Sequence, residues 1–100
     1  MHVHWAKRYG LPKATLRADE VQLRWPARQL ERIVALDPHP LTKARDLERR
    51  LVGNCRDFSV MLAAMLKTKG VPARARCGFG TYFTPGKFED HWVVECWHAA

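Results

Sequence analysis

The chain is predicted to fold as an α+β domain, because its apolar residues change period once along the sequence. Helical spacing governs residues 26–66, alternation governs residues 73–97, and helix-stopping residues lie at the join. Between the two regimes, Phe58 to Leu66 is apolar almost all round apart from Ser59. That stretch predicts a buried central helix packed on a small antiparallel sheet.

Residues 1–25 show no clear period and are expected to form an irregular lead-in, with a turn at Gly10-Leu11-Pro12. Pro26 suits the first turn of a helix, where the N–H it lacks would have had no partner. Ala27, Leu30, Ile33 and Val34 fall on one face of that helix, with Arg28 and Arg32 on another. Asp37-Pro38-His39-Pro40 stops it, since proline disfavours helical geometry in the residue before it. Thr42 is placed to cap a second helix with a thin stripe of Ala44, Leu47 and Leu51. A third helix follows Gly53-Asn54, with Asn54 as N-cap and Asp57 at the third helical position, where its charge complements the helix dipole. Lys67, Lys69, Gly70 and Pro72 supply the stop signals.

The period then becomes two. Ala73, Ala75, Cys77 and Phe79 point one way, Arg74, Arg76 and Gly78 the other. Thr81-Tyr82-Phe83 is expected to extend this strand, Pro85-Gly86 to turn the chain, and His91 to Trp97 to form the second strand.

One hundred residues suit one small domain, read as a lead-in (1–25), a helical part (26–52) and the Cys-bearing helix with its strands (53–100). A hydrophobic share of 47%, with four Trp and four Phe, excludes a disordered chain. The longest apolar run, Val60 to Leu66, is far short of the roughly 20 residues that span a bilayer. No apolar stretch backs the N-terminus as in a secretory signal, so a soluble cytoplasmic chain with no membrane partner is expected.

Three cysteines, none in a CxxC pair, are expected to be free thiols, with Cys77 and Cys96 buried. Cys96-Trp97-His98 with Cys77 matches no usual zinc spacing, and no Asp/Glu-rich loop suits calcium, so no metal and no cofactor are expected. Net charge is +7, and residues 1–52 hold 11 basic against 6 acidic side chains. A basic half can meet nucleic acid or an acidic protein partner. A solvated surface explains the pairs Arg28/Arg32 and Arg45/Arg49, and His2 and His4 are expected at the surface.

Cys55 falls in the first turn of the third helix, where unpaired N–H groups and the helix dipole favour a thiolate nucleophile. It shares a stripe with Phe58, Leu62 and Leu66, so it is expected to look toward the sheet. His91, at the start of a strand, is the candidate base that holds the thiol proton and returns it to the leaving group.

Gly53-Asn54-Cys55-Arg56-Asp57-Phe58, then Gly70-Val71-Pro72-Ala73-Arg74, then Gly78-Phe79 and Asp90-His91-Trp92-Val93 resemble the transglutaminase-like superfamily, in particular its bacterial branch with a GNCRDF motif. The resemblance covers roughly Leu47 to Trp97. It implies a papain-like core in which a helix-borne Cys faces a strand-borne His, and an Asp or Asn on the next strand orients the imidazole. By that resemblance Cys55 is the nucleophile, with its backbone N–H helping to hold the oxyanion, and His91 is the base. The implied activity is cysteine acyl transfer or hydrolysis on a protein or peptide amide, through a thioester. No Asp or Asn follows His91, and Glu95 lies on His91's own strand. The expectation is therefore a fragment-like sheet incomplete at the C-terminus, either weakly active or inactive, or completed along its open edge by a second copy. The alternative reading is a non-catalytic basic binding module.

Overall fold

A computed structural model describes residues 1–11 and 17–99. The chain divides into two compact units, residues 1–54 and 55–100. Among the described residues no helix is long and apolar enough to cross a membrane.

In the first unit, helix α1 spans Pro26–Leu36, with Pro26 in its first turn and no other helical residue before it. It ends where predicted: Asp37, next to Pro38, is extended at φ −155° and ψ 111°. Its most buried residue is Gln29, at 1% exposure, whose Nε2 donates to the Leu23 carbonyl at 2.8 Å. The predicted apolar face is correspondingly looser, since Ala27 is exposed and Val34 is 48% exposed. A buried amide with a good acceptor is tolerated, and apolar spacing alone does not reveal it.

Two short 3-10 turns, Val3–Tyr9 and Ala18–Gln22, occupy the stretch expected to be irregular. Their tighter period and short length leave no 3.6-residue stripe to read. Gly10 closes the first with φ 71° and donates to the Ala6 and Lys7 carbonyls; Pro12 of the expected turn lies outside the described residues. The Val3 N–H donates to the Gly53 carbonyl at 2.8 Å and the Gly53 N–H to the Met1 carbonyl at 2.9 Å, a one-rung parallel bridge.

The helix expected after Thr42 does not form. Only a 3-10 turn, Leu47–Arg49, lies in that stretch. The reason is side-chain chemistry. Arg45 donates from Nη2 to the Asp37 and His39 carbonyls at 3.0 and 2.7 Å, and Arg50 Nε donates to the Arg45 carbonyl at 2.7 Å. These bonds satisfy carbonyls of a looped backbone and tie residues 37–50 together without helical pairing.

In the second unit, helix α2 spans Cys55–Thr68, starting directly after Asn54. It ends in a Schellman arrangement: the Val71 N–H reaches the Leu66 carbonyl and the Gly70 N–H the Lys67 carbonyl, each at 3.0 Å. Gly70 takes the left-handed conformation this requires, φ 77°. Strands β1 (Ala73–Gly80) and β2 (Glu89–Cys96) pair antiparallel, with Ala73 opposite Cys96 and Gly78 opposite His91. The α2 helix packs on both strands, which gives the predicted α+β layering.

Three details differ from expectation. The α2 helix is not buried all round: Phe58, Leu62 and Met65, one face at i, i+4 and i+7, are 51%, 48% and 49% exposed, while Asp57, Ser59 and Ala63 are buried. Thr81 to Phe83 bend instead of extending β1. Cys77 and Cys96 are exposed thiols. The two-stranded sheet accounts for the last of these, because two strands have too little area for both faces to be covered.

Candidate active site

Cys55 is the first residue of α2 and is partly exposed. Its carbonyl accepts a 2.8 Å bond from Ser59 Oγ one turn later, which ties the first turn of the helix together. Beside it, the guanidinium of Arg56 lies 3.4 Å from the buried carboxylate of Asp57. Cys55 thus stands at the positive end of the helix dipole. The stripe assigned to Cys55 does not face inward as a whole, since Phe58 and Leu62 are half exposed.

His91 lies near the start of β2 in the same compact unit, partly buried. The Phe83 ring meets it edge-on with centroids 4.9 Å apart. This contact is made by the bend that sequence alternation misread as strand. It depends on Gly80: a Cβ there would sit 2.7 Å from the Phe83 ring and 3.1 Å from Tyr82. On the rung opposite His91, a Cβ built on Gly78 would meet nothing within 4 Å. The rung opposite the imidazole is therefore open space on that face.

Strand alternation puts Glu89, His91, Val93 and Glu95 on one face of β2, matched by Gly80, Gly78, Arg76 and Arg74 of β1. Glu95, the only carboxylate after His91 in the chain, is taken by two arginines. Arg74 Nε donates to Oε2 at 2.8 Å and Arg76 Nη1 to Oε1. Bonds from Arg76 first, then Arg74, hold the Glu95 carboxyl below its ordinary range. Glu95 is thus committed to a cross-strand clamp and does not orient His91. Arg74 also stacks over Trp97, 5.4 Å from the ring centroid. Among the described residues no hydrogen bond joins Cys55 to His91, and no group of three or more His, Cys, Asp or Glu could hold a metal ion. The Arg74–Glu95–Arg76 clamp was legible only as alternation, since the strand register that creates it is not written in either strand alone.

No curated protein matches the chain, and no solved structure does. Residues 23–100 match the family model described as the transglutaminase-like superfamily, well over half of the sequence and including both α2 and the strand pair. The chain belongs to the transglutaminase-like superfamily.

Proposed function

We propose that this chain performs cysteine-dependent acyl transfer on a protein or peptide carboxamide, with Cys55 as nucleophile and His91 as base. The single observation that carries the reading is the placement of Cys55 at the first position of α2. A nucleophile at a helix start stands at the positive end of the helix dipole, where negative charge developing on a reacting carbonyl oxygen is favoured. In the proposed reaction the Cys55 sulfur bonds to the carbonyl carbon while the backbone N–H of Cys55 helps hold the oxyanion. His91 takes up the thiol proton and delivers it to the departing amine, and a thioester remains. An amine acceptor then gives transamidation and water gives hydrolysis; neither route needs a metal or cofactor.

The imidazole needs an orienting carboxylate, and Glu95 is engaged elsewhere. Among the described residues β2 pairs with β1 alone. We propose that a second copy of the chain, laid along the other edge of β2, completes the site in the cytoplasm.

Incubation with a glutamine-containing peptide and a fluorescent primary amine tests the catalytic reading. The expected result is amine incorporation or ammonia release, lost in Cys55→Ala and His91→Ala while circular dichroism is unchanged. Full activity in Cys55→Ala would contradict it.

A further inference from the structure

The face that carries His91 has an unbalanced charge pattern beside the open rung at Gly78. Arg74 and Arg76 share one carboxylate, Glu95, and their side chains are 59% and 61% exposed. A guanidinium has five N–H donors, and Arg76 spends one of them on Glu95. Both side chains are more than half exposed, and the cluster of two arginines and one carboxylate keeps one net positive charge. Glu89, at the opposite end of the same face, is occupied by a 3.1 Å bond from Thr84 Oγ1. Along this face Arg76 is one step from Gly78, about 7 Å, and Gly78 is the rung of His91.

We infer that the exposed guanidinium of Arg76, beside the open space over Gly78, selects substrates with an acidic side chain one or two residues from the reacting carboxamide. This rests on the assignment of His91 as the base. The spacing fits, because an extended peptide advances about 3.3–3.6 Å per residue. A substrate carbonyl near His91 therefore places a neighbouring Asp or Glu over Arg76. The recognition is charge-assisted hydrogen bonding with the donors that Glu95 leaves unused. Arg74, stacked on Trp97, holds Glu95 from the other side, so that Arg76 is positioned by an ion pair without being saturated by it.

The test uses the full chain carrying Cys55→Ala, so that binding is read without turnover. Fluorescence anisotropy compares three labelled glutamine peptides that differ only in a flanking Glu, Ala or Lys. The Glu peptide is expected to bind about threefold to tenfold more tightly than the Ala peptide, the range of one or two partly exposed charge pairs. That preference disappears in Arg76→Gln and reverses in Arg76→Glu. Gly78→Val, whose side chain enters empty space, weakens all three peptides without lowering the melting temperature. Equal binding of the three peptides, a preference that survives Arg76→Gln, or no binding of any peptide would overturn the inference. Turnover by the unmodified chain separates the two ideas. A Glu preference without turnover removes the catalytic reading alone, and turnover without a Glu preference removes this one.

Discussion

Glu20 shows how much a single carboxylate can organise. It is 4% exposed, receives Arg17 Nε and Arg32 Nε on Oε1, and accepts the Val52 N–H on Oε2 at 2.8 Å. It thus joins its own 3-10 turn, α1 and the backbone at Val52. Replacing one partner of such a network leaves desolvated groups unmatched. Glu20→Gln is expected to cost about 2 kcal/mol in urea denaturation, moderated because the two arginines keep partial contact with water. Glu95 makes a contrasting case at the surface. Its carboxyl is held below the ordinary value of 4.5 by Arg76 and then Arg74. A folded value below the unfolded one contributes stability that is complete above about 4.5 and is lost as pH falls toward the folded value. Melting at low salt should therefore decline more steeply below that pH in the unmodified chain than in Glu95→Gln. Parallel curves for the two would remove the clamp from the account.

At the level of elements, the ends of α1 and α2 and the existence of both strands were legible because local chemistry specifies them. Pro26 and Asp37-Pro38 bound one helix by proline geometry alone, and Lys69-Gly70 with Val71 ends the other through a left-handed glycine. The segment from Thr42 to Leu51 was not legible. Its fate turns on Arg45, which bonds to carbonyls of the preceding loop, and on Arg50, which bonds to the Arg45 carbonyl, and side-chain period carries no record of such bonds. The bend at Thr81 to Phe83 was missed for a related reason. Tyr82 and Phe83 have strand-forming side chains, yet their rings stack at 4.4 Å over Gly80 and against His91. Gly80→Ala is expected to push the Phe83 ring off His91 and to destabilise the fold by about 1–2 kcal/mol, the cost of modest overpacking. A chemical-shift change at the His91 ring would report the displacement. An unaltered His91 signal would mean that the ring contact does not depend on Gly80.

For the whole molecule, the family assignment covers residues 23–100, whereas the compact units meet between Asn54 and Cys55. The functional residues proposed here, Cys55 and His91, both lie in the second unit with α2, β1 and β2. Their places on a helix start and on a strand were legible, because those element positions are set by local chemistry. The surroundings of His91 were not legible, since Gly78 comes opposite it only through the strand register and Phe83 meets it only through the bend. The exposed thiols Cys77 and Cys96 now serve as internal controls. Accessibility alone predicts that both react faster than the partly buried Cys55.

The most direct measurement is iodoacetamide alkylation at neutral pH, resolved for each cysteine by peptide mass spectrometry, in the unmodified chain and in His91→Ala. If Cys55 and His91 work as a nucleophile and its base, Cys55 reacts fastest despite its lower exposure. It then slows in His91→Ala, while Cys77 and Cys96 keep their rates. A Cys55 that reacts more slowly than the two exposed thiols, with a rate indifferent to His91, would contradict the account.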